Sequence, residues 1–291
     1  MREKVLSSNV IHTDDTKVKL IDKALKHTRT ARFWAYLGDA KNPYTVYDFT
    51  EDRSRDGPAK FLTSYEGYLQ ADAYSSYDGI YLESDGKIIE VACWAHCRRY
   101  WHKAKEQDPE HAHHALSLIG RLYEVERATR DVDTAQRQAA RMEHALPLLN
   151  EFETWLAGQS FLPKSLIGKA LTYTRNQWSA LNRYVESGEL SIDNSPAERA
   201  MRPVAIGRKN WLFVGSPAAG DRAAILMSLI ASCKANGVEP WAYLKDVLEQ
   251  LAAKPDQSEL QQLLPDKWIL TNPQHRWEID QIRRNERKAR M

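Results

Sequence analysis

The chain has 291 residues, of which 43% are hydrophobic and 27% charged, and its formal net charge at pH 7 is +2. These values are typical of a soluble globular protein with one large domain or two ordinary ones, and they exclude a disordered, collagen-like or coiled-coil chain. The longest apolar stretch, Ala223–Cys233, is too short to span a bilayer, and three cysteines are too few for a disulfide scaffold, so we expect a cytoplasmic protein with no membrane partner.

Residues 10–101 have the alternating, β-branched and aromatic pattern of strands. The pattern predicts three consecutive strands that suit an antiparallel meander, then a helix with Pro58 near its start, and then two further strands. The predicted strands span residues 10–20, 32–37, 44–49, 68–72 and 88–94, and the helix spans 56–65.

After Trp101 the apolar residues recur at helical spacing, which predicts that residues 102–190 are entirely helical. A short helix is predicted to begin at Ser195. Two longer helices follow over 222–235 and 240–252, since Asn236-Gly237 is a typical helix stop and Pro240 a typical helix start. The tail 276–291 carries six basic and three acidic residues and is predicted to be a solvated or frayed helix.

Two aspartates occupy unusual places in this pattern. Asp14 lies on the first predicted strand and Asp72 at the end of the fourth, although aspartate is disfavoured in strands. If the two strands are neighbours, their carboxylates lie close together, and a cation is needed to offset the repulsion. Oxygen ligands of this kind suit Mg²⁺ or Mn²⁺. The alternative is that both are ordinary aspartates at a turn or a strand end.

Glu198 has two interpretations. The sequence Ser195-Pro196-Ala197-Glu198 has the spacing of a capping box, in which the glutamate accepts a hydrogen bond from the backbone at the start of the helix. Alternatively, Glu198 faces the two aspartates, because a helix N-terminus stabilises nearby negative charge. The sequence leaves both interpretations open.

Several stretches, in this order, read like the motifs of one family. They are His12–Thr16, Leu69–Tyr74 with Tyr77, Cys93–Tyr100, Asp193–Arg199 with Gly207–Phe213, and Asn236–Leu244. The first, His-Thr-Asp-Asp-Thr, is similar to a His-Ala-Asp-Glu-Thr signature, and the third contains Trp-Ala-His-x-Arg-Arg followed by an aromatic residue. Through these motifs, which extend over about residues 5–252, the chain resembles transposases of the IS66 insertion-sequence family.

The resemblance implies an α/β fold of the ribonuclease-H-like type, with a mixed sheet flanked by helices. It also implies a DDE catalytic triad, carried over to Asp14, Asp72 and Glu198, and two Mg²⁺ (or Mn²⁺) ions held by these acids. The implied reaction is two-metal phosphoryl transfer, in which a DNA strand is cleaved and then joined to target DNA. The implied partners are transposon ends and target DNA, on which the protein acts as a homo-oligomer.

The resemblance also implies a domain organisation. Residues 1–101 form the first part of the core, residues 102–190 an all-helical insertion before the final catalytic helix, residues 191–252 the closing helices of the core, and residues 253–291 a C-terminal tail. Family members have a substantial region, including DNA-binding segments, ahead of the first aspartate. Only thirteen residues precede Asp14 here, so we expect this chain to be a fragment, a truncated gene product or the catalytic part alone.

Nucleic-acid binding is neither required nor excluded by the nearly balanced charge, because it depends on local patches of basic residues. The motifs supply such residues, together with aromatic side chains that stack on unpaired bases. The expected DNA-binding residues are His96, Arg98, Arg99, Arg199, Arg202, Arg208, Lys209, Asn210 and Trp211.

Each of these assignments has a structural alternative. Residues 211–213 would form a buried segment, the arginines would pair with acids, and His96 would be a hydrogen-bonded core histidine. A zinc site is a weaker possibility, because the usual Cys-x-x-Cys pair is missing; its candidate ligands are Cys93, His96 and Cys97, with His111, His113 and His114 downstream.

The chain departs from the family pattern at Asp15, Lys17, Ala73 and Ser195, where glutamate, proline, glycine and asparagine are usual, but all three acids of the triad are retained. Two other functions stay open. One is a non-catalytic DNA-binding or interaction remnant of a transposase, and the other is a ribonuclease-H-like nuclease without strand transfer.

Overall fold

A computed structural model describes residues 1–22, 27–72 and 77–277. Its six strands are β1 (Val10–Asp22), β2 (His27–Leu37), β3 (Thr45–Thr50), β4 (Gly67–Gln70), β5 (Ile88–Val91) and β6 (Phe213–Val214). Ala73 and Tyr74 of the second family motif, and residues 278–291 of the predicted tail, lie outside the described residues.

The α-helices are α1 (Arg2–Leu6), α2 (Asp56–Leu62), α3 (Asp78–Glu83), α4 (Trp94–Ala104), α5 (Pro109–Ala128), α6 (Thr134–Ala140), α7 (Leu146–Ala157), α8 (Leu166–Asn176), α9 (Trp178–Asn182), α10 (Ser195–Trp211), α11 (Pro217–Ala235), α12 (Pro240–Ala252), α13 (Gln257–Gln262) and α14 (Pro265–Thr271). A π-helical turn spans Arg141–Ala145, and short 3₁₀ turns span Arg183–Glu186 and Pro273–His275. None of the helices in this described part is both long and apolar enough to cross a bilayer.

The chain folds into two compact units. The first consists of Met1–Tyr65 and Arg199–Met291, and the second consists of Glu66–Glu198. Helix α10 therefore begins in the second unit and continues in the first.

The first unit contains a mixed sheet. Strand β1 pairs antiparallel with β2, which pairs antiparallel with β3, as the meander predicted from the sequence requires. The short strand β6 pairs with β1 in parallel, at Lys19 and Leu20. Alternate residues of these strands, among them Val18, Leu20 and Phe33, are buried against apolar residues of α10 and α11.

Helix α11 packs against strand β3, and two buried serines of the helix bind the backbone of the strand. Ser228 accepts a hydrogen bond from the backbone N–H of Tyr47 (2.7 Å), and Ser232 accepts one from the N–H of Thr45 (3.1 Å). Gly220 of the same helix allows this approach, because a Cβ there would lie only 2.5 Å from the ring of Phe49. The serines thus satisfy backbone groups that a further strand would otherwise pair.

The second unit combines a parallel pair of strands with helices. Strands β4 and β5 are parallel and are connected through α3. Residues 102–190 are helical and contain no strand, in keeping with their periodicity. An aromatic cluster that includes Trp94, Phe152 and Trp178 holds these helices together, and the indole of Trp94 donates to the carbonyl of Leu181 (2.8 Å).

The structure corrects several predicted boundaries: α11 already begins at Pro217, α2 ends at Leu62 and β2 begins at His27. Strand β4 ends at Gln70, so Asp72 lies just beyond it, and β5 ends at Val91, so Trp94 begins α4 instead of ending a strand. The helix that begins at Ser195 is not short, since it continues through Pro203 to Trp211. Pro203 has no N–H to donate to the carbonyl of Arg199, and the neighbouring carbonyl of Ala200 accepts the hydroxyl of Tyr47 (2.6 Å).

Replacement of Ser228 by alanine should lower the free energy of unfolding by about 1–3 kcal/mol, because the buried N–H of Tyr47 would lose its acceptor. Urea unfolding followed by circular dichroism measures the change. Ser117→Ala, at an exposed position of α5, is the matched control and should leave stability unchanged or slightly raised. Equal stability of the two variants would contradict this role for Ser228.

Candidate functional site

Helix α10 begins one residue earlier than the capping-box interpretation requires. The carbonyl of Asn194 accepts the N–H of Glu198 (3.2 Å), which makes Asn194 the N-cap and places Glu198 at the fourth helical position. A capping box needs its glutamate at the third position. The backbone N–H of Ser195, to which Glu198 would have bonded, donates instead to Oδ1 of Asp193 (3.0 Å). The capping-box interpretation of Glu198 is therefore wrong.

The carboxylate of Glu198 faces helix α4. Its Oε1 atom lies 3.6 Å from Nη2 of Arg99 and 3.9 Å from Nδ1 of His96, two residues that are one helical turn apart. The side chain of Glu198 is 38% exposed, so it is accessible to a ligand from solvent.

His96 is the centre of a charged cluster in the second unit. Burial lowers its pKa below the ordinary value, and the charge of Arg99 lowers it further, while Asp72, Glu198 and Asp193 act in the opposite direction. Because the net direction is downward, the imidazole is neutral at neutral pH. Asp72 and Glu198, which are far apart in sequence, thus act on the same imidazole.

The Nδ1 atom of His96 is buried, and no described residue hydrogen-bonds to it. Its 3.9 Å separation from Glu198 is too long for a hydrogen bond. The alternative of a core histidine held by hydrogen bonds at this atom is therefore not supported. An unsatisfied buried nitrogen beside the carboxylate of Glu198 is typical of a binding site that a ligand completes.

Asp193 has a local structural role. Its Oδ1 accepts the N–H of Ser195, and its Oδ2 accepts the hydroxyl of Tyr123 (2.8 Å). Asp193 therefore fixes the first turn of α10 to α5, which positions Glu198.

A buried arginine supports the same segment. Arg141, only 1% exposed, makes a two-pronged ion pair with Glu126 through distances of 2.7 and 2.6 Å. It also donates to the carbonyls of Tyr184 (2.8 Å), Ser187 (2.7 Å) and Leu190 (2.9 Å). This segment leads directly into α10. Sequence reasoning missed Arg141, because nothing in the spacing of the helices marks it as a buried cation.

The cysteines beside His96 already have hydrogen-bond partners. The thiol of Cys97 contacts Oγ1 of Thr174 (3.3 Å), and the sulfur of Cys93 accepts the N–H of Asn194 (3.2 Å). Burial raises the pKa of Cys93 to about 11 and that of Cys97 to about 12, so both remain protonated. Within residues 1–22, 27–72 and 77–277, no three His, Cys, Asp or Glu side chains are grouped as a preformed metal site.

In the first unit, two adjacent aspartates of β1 lie on opposite faces of the strand. Asp15 has a side chain that is 3% exposed and forms ion pairs with Arg32 (2.8 Å) and Arg53 (2.7 Å), so its role is structural. Asp14 is half-buried, pairs in register with Ala35, and accepts the N–H of Asp15 (2.8 Å).

The residues expected to bind DNA are mostly exposed. His96 and Arg208 are only partly exposed, and Arg208 donates to Oγ1 of Thr16 (2.8 Å) and to the carbonyl of Lys17 (2.6 Å). Residues 211–213 are 40%, 60% and 44% exposed, which excludes a buried segment. The exposed members are Arg98, Arg99, Arg199, Arg202, Lys209, Asn210 and Trp211.

Comparison with protein families gives two matches. A model described as the transposase IS66 family matches residues 1–222, and a model described as the IS66 C-terminal element matches residues 228–265.

Curated relatives come from Sinorhizobium fredii (strain NBRC 101917 / NGR234). The uncharacterized protein y4hP is 30% identical over 288 residues, which cover 91% of this chain and 51% of the relative. The uncharacterized protein y4jD is 31% identical over 272 residues, which cover 89% of this chain and 53% of the relative. The chain thus spans about half the length of the curated relatives it matches.

Replacement of Arg141 by methionine should lower the free energy of unfolding by about 3–5 kcal/mol, because Glu126, whose side chain is only 16% exposed, would lose its partner and three backbone carbonyls would lose their donor. Arg121→Met, which breaks an exposed pair with Glu151, is the matched control and should cost less than about 1 kcal/mol. Urea unfolding followed by tryptophan fluorescence compares them. Similar losses in both variants would contradict the supporting role of Arg141.

Proposed function

Because the chain belongs to the IS66 transposase family, we propose that it is the catalytic part of a DNA transposase, which cleaves DNA and joins the cut strand to target DNA. The observation that carries the proposal is the placement of Glu198. This glutamate is not a helix cap but faces His96 and Arg99, in a cluster whose electrostatics also include Asp72. Acids brought together around a neutral histidine are typical of a functional site.

The proposed catalytic acids are Asp14, Asp72 and Glu198, on a ribonuclease-H-like core. Their carboxylate oxygens suit Mg²⁺ or Mn²⁺ in their donor chemistry. When bound, two such ions supply the activation of the attacking oxygen and the stabilisation of the leaving oxygen in phosphoryl transfer.

Two residues of α4 complete the proposed site. Arg99 offsets the charge of Glu198 in the absence of a ligand, and its exposed guanidinium is available to a phosphate oxygen of DNA. His96, which is neutral at neutral pH, has an unsatisfied Nδ1 that can hydrogen-bond a phosphate or a water molecule. We propose that both residues position the DNA strand.

Exposed cations on α10 extend the proposed DNA contact. Arg199, Arg202 and Lys209 form no ion pair within the described part of the chain, so their charges are available to phosphates. We further propose that the protein acts on DNA as a homo-oligomer in the cytoplasm. Oligomers allow two transposon ends to be held and processed together.

The catalytic proposal predicts that replacement of Glu198 abolishes DNA cleavage but hardly changes the stability of the fold. Glu198→Gln should change the free energy of unfolding by at most about 1 kcal/mol, because its ion contacts are partly exposed. It should abolish Mg²⁺-dependent cleavage of DNA that carries the ends of the element, because a neutral amide is a poor ligand for Mg²⁺. Asp14→Asn and Asp72→Asn should also abolish cleavage, and Mn²⁺ should restore at most a trace.

Glu153→Gln, at an exposed position of α7, is the matched control and should cleave like the parent protein. Retention of most cleavage by Glu198→Gln would contradict the proposal. Analysis of the products separates the alternatives. Joined products indicate a transposase, cleaved but unjoined products indicate a nuclease, and DNA binding without cleavage by the parent protein indicates a non-catalytic remnant.

A further inference from the structure

A groove of about 600 Å³ lies within the first unit, along the exposed face of β1 and β2 and the end of α10. We refer to it as the β1–β2 groove. Its apolar wall comes from Leu212 and Phe213. Its polar lining comes from Lys17, Lys19, Thr28, Thr30, Arg208 and Lys209.

The groove is strongly cationic. Four of its lining residues are basic, and no acidic side chain is among the described residues that line it. Arg208 uses its guanidinium to bond to Thr16 and to the carbonyl of Lys17, which fixes the end of α10 against β1. Lys17, Lys19 and Lys209 form no ion pair within the described part of the chain, so their charges face solvent without compensation.

The register of the strands makes this charge costly in the absence of a ligand. Lys17 lies directly opposite Arg32, and like charges in opposite positions destabilise a sheet. Asp15 forms its ion pairs with Arg32 and Arg53, and not with Lys17. Lys19 lies opposite Thr30, whose hydroxyl is the kind of group that hydrogen-bonds a phosphate. The arrangement is therefore suited to a ligand that brings negative charge.

The apolar wall is held at the surface by the backbone. Leu212 has a φ of +61°, a left-handed conformation that is unfavourable for a leucine. The next residue, Phe213, begins β6 and pairs with Lys19 of β1. Leu212 is 60% exposed and Phe213 is 44% exposed. Sheet pairing on one side and Arg208 on the other fix this wall beside the lysines.

We propose that the β1–β2 groove binds a single strand of DNA outside the catalytic acids. The lysines and threonines contact successive phosphates, and Leu212 and Phe213 contact unpaired bases. In a duplex the faces of the bases are stacked on one another and are not available to the apolar wall. A single strand satisfies both parts of the lining.

This inference rests on the proposed function only in taking DNA as the ligand, because strand binding does not require cleavage. Binding is therefore measured in EDTA, where metal-dependent cleavage does not occur. The readout is the fluorescence anisotropy of a labelled 20-nucleotide thymidine strand, compared with a labelled 20-base-pair duplex, over a series of salt concentrations. The cleavage assay with Glu198→Gln is run separately, so each proposal can fail alone.

The parent protein should bind the single strand more tightly than the duplex. Lys17→Gln with Lys19→Gln should weaken single-strand binding by roughly 10- to 30-fold at 0.1 M salt, and should reduce the slope of log affinity against log salt by about 1.4, because two phosphate contacts are lost. Phe213→Ala should weaken single-strand binding without changing that slope, since it removes an apolar contact.

The matched control is Lys60→Gln with Lys245→Gln, which removes the same charge from exposed positions that do not line the groove, and it should bind the strand like the parent. Circular dichroism verifies that every variant is folded. Unchanged affinity and slope in the Lys17 and Lys19 variant, or an equal loss in the control, would overturn the groove as a binding site. Equal affinity for the duplex together with no effect of Phe213→Ala would overturn the assignment to a single strand.

Discussion

The hydrogen bond from the N–H of Glu198 to the carbonyl of Asn194 fixes where helix α10 begins. With a start one residue later, Glu198 would occupy the third helical position, which is the position that a capping box requires. Glu198 would then satisfy the backbone at the helix start. With Asn194 as the cap, the carboxylate faces α4, and Asp193 takes over the backbone hydrogen bond at Ser195. The chemistry proposed for the second unit depends on this single offset.

Maintaining this start requires support from residues far along the chain. Tyr123 of α5 holds Asp193, and Arg141 of the π-helical turn binds the carbonyls of the segment that precedes α10. The helical region over residues 102–190 therefore supplies the residues that hold the start of α10 in place. A buried cation that binds three carbonyls restricts the segment before α10, because each hydrogen bond that is broken would leave a buried carbonyl without a donor.

The basic residues fall into two groups, according to whether another residue of the protein already binds their charge. Some already have partners. Asp15 forms ion pairs with Arg32 and Arg53, and Glu126 forms one with Arg141. Arg208 donates a hydrogen bond to the backbone of β1. Others are exposed without an ion pair in the described residues, among them Lys17, Lys19 and Lys209. Sequence motifs do not separate the two groups, since a motif shows charge but not the partner that neutralises it. The exposed group is the one that a phosphate backbone can bind.

The sequence by itself determined the strand meander, the helical region after Trp101, the family, and the acids worth testing, because periodicity and motifs are local properties of the chain. It could not decide between a capping box and a ligand for Glu198, since both need an acid within one turn of a helix start. It also gave no sign of the Arg141 network or of the β1–β2 groove. These depend on which residues from distant parts of one unit come into contact, and burial, register and ion pairing are set only when the tertiary structure forms.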